Sequence, residues 1–231
     1  MNVNAVQVAQ ALRLYSRKTR PYVPDLVASI QQRYGFVRVP SAQELIDVVR
    51  AESNAPLQFN HGRLLTQDGR TVVIESMQLY SHLVIAITAS STADADLVVD
   101  DILATHSEMV ATINPRRNYV SQLDVTLDVH LDWASDVASR TSIMLSKVIA
   151  GYDPNVHPDA YASAFRLTTL GMQPDPNSFV VACDFRVERR LGFAYSENRY
   201  FSQAPLRTGD HMAVVEELER AIREIGEGRL A

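Results

Sequence analysis

Three residues have side chains and a spacing that could support metal chemistry: Asp128, His130 and Asp132. They alternate with apolar residues in the stretch LDVTLDVHLDW, residues 123–133, which predicts one long strand with its polar side chains on a single face. Carboxylate and imidazole groups are ligands for zinc, manganese or iron. Side chains two positions apart on a strand lie about 7 Å apart, so neighbours could share an ion with a third ligand from elsewhere. One hypothesis is therefore a metal-dependent hydrolase or nuclease.

A one-sided sheet explains the same alternation without any chemistry. Antiparallel sheets commonly bury one face and expose the other. Asp124 extends the acidic row, and opposite charges on neighbouring strands, such as Arg186, would stabilise cross-strand pairs by about 0.2–1 kcal/mol each. We therefore expect a solvated or charge-paired face, and we predict no catalytic residue, no cofactor and no metal unless Asp128, His130 and Asp132 provide its ligands.

A second candidate is the irregular, aromatic segment FAYSENRYFSQAPLRTGDH, residues 193–211. Long ordered loops often carry function, and tyrosine and arginine are suited to anchoring an interface. The tentative binding residues are Asn198, Arg199 and Tyr200 in this segment, together with Asp128, His130, Asp132 and Arg186 on the polar sheet face. The alternative is that the aromatic rings only attach the loop to the core. A small-ligand sensor, with its ligand between the polar sheet face and the loop, is a further hypothesis.

Composition limits the classes of protein and of partner. The chain has 231 residues, with 46% hydrophobic and 21% charged, which is typical of globular proteins. A single cysteine, Cys183, excludes an intrachain disulfide and favours a reducing cytoplasm. A net charge of −5 argues against nucleic-acid binding. The sequence shows neither a signal peptide nor an apolar stretch of membrane-spanning length, so we predict a cytoplasmic protein without a membrane partner.

The first 55 residues are predicted to form a helical region. Val3, Val6, Val8, Leu12 and Tyr15 recur at near-helical spacing. A second helix is predicted to begin at Pro24, and a third follows a capping box formed by Ser41 and Glu44.

After Pro56 the pattern changes to strands closed by helices. Asp68-Gly69 is a strong hairpin signal, and Ser91 or Thr92 is a suitable N-cap. The predicted elements are strands 57–66, 70–79 and 83–90, helix 93–113, strand 118–133, helix 136–150, strands 162–171 and 179–188, and helix 210–225.

These elements predict an α+β fold, with an antiparallel or mixed sheet covered by helices mainly on one face. An N-terminal helical region, 1–55, would precede an α+β domain, 56–231. The two groups of strands, each closed by a helix, could be a duplication, although no sequence identity between the halves is apparent. The function expected first is non-catalytic: a cytoplasmic module that binds a protein partner or self-associates.

Overall fold

The computed structural model describes residues 1–17, 23–49, 56–130, 164–167 and 185–226. Asp132, Cys183 and the predicted helix 136–150 lie outside the described residues. The chain divides into two compact units. We call Val6–Gln122 with Pro205–Thr208 the N-terminal unit, and Met1–Ala5, Leu123–Ala204 and Gly209–Ala231 the C-terminal unit.

The N-terminal unit contains three helices and an antiparallel meander. Its elements follow one another as β1 (Asn2–Arg17), α1 (Val23–Tyr34), α2 (Ala42–Val49), β2 (Leu57–Leu65), β3 (Thr71–Leu79), β4 (Leu83–Thr88) and α3 (Thr92–Thr105), and β5 (Val110–Thr126) begins here. The strand order is β2-β3-β4-β1-β5, with antiparallel pairing of β2 with β3, β3 with β4, and β4 with β1. β1 and β5 both continue into the C-terminal unit.

The predicted fold class is wrong at its N-terminus, because the first element is the 16-residue strand β1 and not a helix. β1 lies between β4 and β5, so side chains on both of its faces are covered, including Ala11 and Leu12. A strand buried on both faces lacks strict alternation, and its apolar residues can match a helical period by chance. The described residues form eight strands and four helices, with more residues in strands than in helices. The domain boundary near residue 56 stays a prediction.

The meander and the two short helices agree with the sequence signals. The Ser41 amide donates to Glu44 Oε2 at 2.6 Å, and the Glu44 amide donates to Ser41 Oγ at 3.3 Å, which confirms the capping box. Gly69 closes the β2–β3 hairpin with φ +82°. Ser91 caps α3 by accepting a hydrogen bond from the Asp94 amide at 3.1 Å. Local signals therefore determined these elements.

Helix α3 is shorter than predicted. It ends at Thr105, a 3-10 turn covers Ser107–Met109, and β5 begins at Val110. Ile113, the last residue of the predicted helix, lies on β5 and is exposed. The apolar spacing near residue 110 fits either structure, and strand pairing decides between them.

The core of the N-terminal unit lies between one sheet face and helices α1 and α3. Ile30 and Tyr34 of α1 and Val98 and Ile102 of α3 are fully buried or nearly so. Burying side chains of this size contributes about 1.5–3 kcal/mol each relative to exposure.

The C-terminal unit combines the end of β5 with three further strands and a helix. These are β6 (Ala164–Leu167), β7 (Phe185–Arg189), β8 (Arg199–Ala204) and α4 (Thr208–Gly226), of which the first residue, Thr208, belongs to the N-terminal unit. The strand order is β5-β8-β7-β6, and β7 pairs antiparallel with both β6 and β8.

Candidate functional site

The β7–β8 hairpin, residues 185–204, concentrates positive charge. Four arginines and two glutamates leave it with a net charge of +2, whereas the whole chain carries −5. On β8 buried residues alternate with partly exposed ones. The exposed set, Arg199, Phe201 and Gln203, defines what we call the outer face of the hairpin.

Two arginines share one aromatic ring at the end of the hairpin. The guanidinium carbon of Arg199 lies 4.1 Å from the ring centre of Phe193, and that of Arg190 lies 5.9 Å from the same ring. Attraction between a cation and the face of a ring favours this arrangement. The contact restricts both guanidinium groups to a defined position.

Two more arginines are stacked in the same way. Arg186 lies 5.2 Å from the ring centre of Phe201, and Arg189 lies 5.0 Å from that of Tyr200. Arg189 also donates a hydrogen bond to the Tyr200 hydroxyl at 2.9 Å. All four arginines of the hairpin are therefore oriented by aromatic rings.

A buried carboxylate, Asp124 at the end of β5, joins this group. Its side chain is 3% exposed, and its two oxygens accept hydrogen bonds from Arg199 Nε and Nη2 at 2.8 Å each. Arg190 Nη1 lies 2.9 Å away, and Asn4 Nδ2 donates at 3.1 Å. Burial acts to raise the pKa of Asp124, but the hydrogen bonds from Arg199 and Asn4 and the charge of Arg190 outweigh it and lower the pKa. The carboxylate thus stays ionised.

The turn of the hairpin, residues 190–198, places an apolar side chain in solvent. Leu191 is 95% exposed, and Gly192 follows it with φ +86°. The Arg190 amide donates to the Arg199 carbonyl at 2.9 Å, and the Ala194 amide donates to Glu197 Oε1 at 2.8 Å. Leu191 is therefore presented by a hydrogen-bonded turn.

The predicted binding residues Arg186, Asn198, Arg199 and Tyr200 differ in exposure and in contacts. Arg186 and Arg199 lie on the outer face with part of their side chains exposed. Tyr200 is fully buried, and its hydroxyl accepts a hydrogen bond from Arg189. Asn198 has φ +48°, its carbonyl accepts from the Leu127 amide at 3.1 Å, and its side-chain oxygen is buried without a hydrogen-bond partner. The structure brings these residues onto one hairpin.

Sequence reasoning missed the residues at the centre of this hairpin. Arg190, Leu191 and Phe193 were not among the predicted binding residues, and Asp124 was expected on a wet face. The run Arg-Arg-Leu-Gly-Phe, residues 189–193, carried a usable signal, because a glycine after an alternating strand indicates a turn.

The metal hypothesis loses the strand geometry on which it depended. β5 ends at Thr126, so Asp128 and His130 follow it in irregular chain, and the predicted strand is wrong over residues 127–130. The Asp128 side chain is 67% exposed and lies 3.8 Å from Arg223 of α4. His130 is exposed, and Asp132 lies outside the described residues.

A buried glutamate on α4 anchors the end of β5 instead. Glu219 is 5% exposed, and its Oε1 accepts a hydrogen bond from the Asp128 amide at 2.5 Å. Its Oε2 lies 2.6 Å from the amino group of Met1. Asp128 therefore takes part in a structural contact through its backbone.

A buried hydroxyl–imidazole pair on β8 and α4 has the atoms of a nucleophile and a base. Ser202 Oγ lies 2.7 Å from His211 Nε2. Both residues are 0% exposed, so neither atom is open to a substrate. Burial lowers the pKa of His211 to about 4. We read this pair as a satisfied polar contact in the core.

The acidic row on α3 of the N-terminal unit is neutralised by arginines. Asp101 accepts two hydrogen bonds from Arg33, at 2.5 and 2.6 Å, and one from the Tyr34 hydroxyl at 2.6 Å. The three other carboxylates have equivalent partners, with Asp94 2.5 Å from Arg70, Asp96 2.9 Å from Arg117, and Asp100 3.1 Å from both Arg13 and Arg117. These contacts attach α3 to β1, α1, β5 and the turn before β3.

Comparison of the chain with protein-family models finds no match, and comparison with curated proteins finds none either. Among the described residues, no group of three or more histidine, cysteine, aspartate or glutamate side chains could hold a metal ion. None of the helices in this part of the chain is long and apolar enough to cross a membrane.

Proposed function

We propose that the protein is a non-catalytic module that binds another protein surface through the β7–β8 hairpin. The observation that carries this proposal is Leu191, which is 95% exposed at the tip of a hydrogen-bonded turn. An exposed leucine regains about 2 kcal/mol of hydrophobic free energy when a partner covers it. The neighbouring Arg190 belongs to a residue type enriched among the groups that dominate binding energy.

The ordering of the arginines supports the same function. Binding costs entropy whenever flexible side chains become fixed, and long arginine side chains are among the most costly. Here Arg186, Arg190 and Arg199 already rest on aromatic rings. A partner would therefore meet guanidinium groups whose positions are partly set beforehand.

The proposal includes a cytoplasmic location, which the single cysteine supports, since a protein of a reducing compartment needs no disulfides. The partner is a different protein, or a second copy of the chain if the module self-associates. Crosslinking distinguishes these two cases, because the mass of the crosslinked product shows whether the partner is a second copy of the chain.

Site-specific photo-crosslinking in the native cell tests the proposal. A photoreactive amino acid replaces Leu191 in one variant and Leu65 in a matched control, since Leu65 is also an exposed leucine, at 70%, but lies on β2. We expect an adduct of defined mass from position 191 and none from position 65. Equal labelling at both positions, or none at position 191, would contradict the proposal.

A further inference from the structure

The two parts of the chain repeat one order of elements. Among the described residues, β1 is followed by helices, by the strands β2, β3 and β4, and then by α3, while β5 is followed by β6, β7 and β8 and then by α4. The order of strands within each sheet region is also the same, β2-β3-β4-β1 in one and β6-β7-β8-β5 in the other. A tandem duplication produces both similarities.

The sequences of α3 and α4 support this equivalence. Both helices begin with threonine, and they align without a gap when Thr92 is placed on Thr208. The strands before them, β4 and β8, are both six residues long, and the connections 89–91 and 205–207 have equal length. The alignment matches Asp94 with Asp210, Val98 with Val214, Val99 with Val215, Asp100 with Glu216, Asp101 with Glu217, and Ile102 with Leu218. Over the 14 residues of α3, four aligned positions are identical and three more are conservative, which supports the equivalence of the two closing helices.

The two repeats differ at one hairpin turn. The turn between β3 and β4 is residues 80–82, and the Tyr80 amide closes it by donating to the Leu83 carbonyl at 2.8 Å. The equivalent turn between β7 and β8 is residues 190–198, so the second repeat has extra chain at this place. That extra chain includes the exposed Leu191.

The outer faces of the two equivalent strands also differ. The same alignment places Arg199, Phe201 and Gln203 of β8 on apolar residues of β4. These apolar residues, Leu83, Ile85 and Ile87, belong to a hydrophobic cluster with Leu12, Leu14 and Tyr80. The second repeat has therefore replaced an apolar face with arginine and aromatic side chains.

We infer that the chain is a tandem duplication whose second repeat has gained a binding surface, formed by the extended turn and the arginine-bearing outer face, for an acidic protein segment that offers carboxylates beside an apolar side chain. This inference rests on the proposed function and specifies its partner chemistry.

The contact between Arg199 and Asp124 is an internal example of carboxylate recognition, and a partner carboxylate would be bound through the remaining guanidinium nitrogen of Arg199, Nη1. Arg199 presents two nitrogen donors to the two oxygens of one carboxylate at 2.8 Å each. A planar guanidinium fork suits carboxylates in this bidentate way. Single-stranded nucleic acid fits less well, because it needs open ring faces for base stacking, whereas Arg199 covers Phe193 and Tyr200 is buried.

A turn exchange in the full chain tests both parts of the inference. Residues 190–198 are replaced by Tyr-Ser-His, the turn of the first repeat, and folding is followed by thermal melting. Binding is measured by fluorescence anisotropy with a labelled peptide of alternating glutamate and leucine. A lysine–leucine peptide and polyuridine RNA are the comparison probes. We expect the natural chain to prefer the glutamate peptide by about tenfold or more over the lysine peptide.

The variant should melt cooperatively and bind the glutamate peptide about tenfold more weakly than the natural chain. Loss of the cooperative melt would overturn the equivalence of the two hairpins. A folded variant that binds as tightly as the natural chain would overturn the assignment of the surface. Tighter binding of polyuridine than of the glutamate peptide would overturn the acidic partner.

Point substitutions keep the surface testable if the exchanged turn does not fold. Leu191→Asp should weaken binding of the glutamate peptide about tenfold, whereas Leu65→Asp, in the first repeat, should leave it unchanged. Equal effects of the two substitutions would overturn the assignment. If photo-crosslinking at position 191 succeeds while the glutamate peptide does not bind, the proposed function stands and the acidic partner is wrong.

Discussion

Thr92 and Thr208 cap each other, one at the start of α3 and the other at the start of α4. The Thr92 amide donates to Thr208 Oγ1 at 3.0 Å, and the Thr208 amide donates to Thr92 Oγ1 at 2.9 Å. Both residues are nearly fully buried. Each hydroxyl thus satisfies a helix N-terminal amide that has no partner within its own helix. The two threonines are also equivalent positions of the inferred repeats.

We expect Thr92→Val and Thr208→Val to destabilise the protein by similar amounts, about 1 kcal/mol each, because each leaves a buried amide without an acceptor. Urea denaturation measures the free energies of unfolding. Thr105→Val, at the exposed end of α3, is the control and should change stability by less than about 0.5 kcal/mol. A neutral result for either capping threonine would contradict the reciprocal contact.

Asp124→Asn should lower the free energy of unfolding by about 2 kcal/mol. The substitution removes the negative charge that Arg199 and Arg190 share, and charge-assisted hydrogen bonds are stronger than neutral ones. Chemical denaturation at neutral pH gives the value. Glu217→Gln is the matched control, since Glu217 and its partner Arg220 are both 63% exposed, and we expect a change below about 0.5 kcal/mol. A larger loss of unfolding free energy in Glu217→Gln than in Asp124→Asn would contradict this prediction.

His211 should make the protein sensitive to acid. Its pKa is about 4 in the folded chain against 6.5 as the ordinary value, so the unfolded chain binds more protons between these pH values. Stability is then complete above pH 6.5 and falls as the pH is lowered towards 4, by roughly 3 kcal/mol in total. Urea midpoints across this range, compared with those of His211→Gln, isolate the contribution.

Ser202→Ala serves as the control for the histidine, because it removes the hydrogen bond and keeps the titrating ring. It should lower stability at every pH and retain the acid sensitivity. If His211→Gln shows the same loss between pH 7 and pH 4 as the natural chain, the buried neutral histidine is not its source.

Gly62→Ala should destabilise the N-terminal unit by about 1–3 kcal/mol through overpacking. A Cβ at position 62 would lie 2.5 Å from ring carbons of Phe36, and this ring is buried and also packs against Phe59. Gly209→Ala is the control, because a Cβ there meets nothing within 4 Å, and alanine favours a helix by up to about 1 kcal/mol over glycine. Thermal melting separates the two variants. An unchanged melting temperature for Gly62→Ala would contradict the close approach.

Several elements could be predicted because their signals are local. The capping box of Ser41 and Glu44, the turn at Asp68-Gly69 and the cap at Ser91 each depend on residues within a few positions of one another. The alternation that indicates β2, β3 and β4 also extends over a few residues. Such signals act in the same way in a short peptide and in the folded chain.

The errors fall where distant strands determine the structure. β1 is a strand because β4 and β5 lie on either side of it, and its own apolar spacing fits a helix nearly as well. Asp124 is buried because Arg199 and Arg190 come from a segment more than 60 residues later in the chain.

The sequence by itself determined the Asp68-Gly69 turn, the caps at Ser41 and Ser91 and the meander, because short-range hydrogen bonds and side-chain alternation encode them. Only the tertiary structure decided that Asp124 of the 123–133 stretch is paired inside the protein, and that Leu191 stands exposed on an arginine-bearing hairpin. Both outcomes depend on which strands become neighbours, and this is set by the packing of the whole chain.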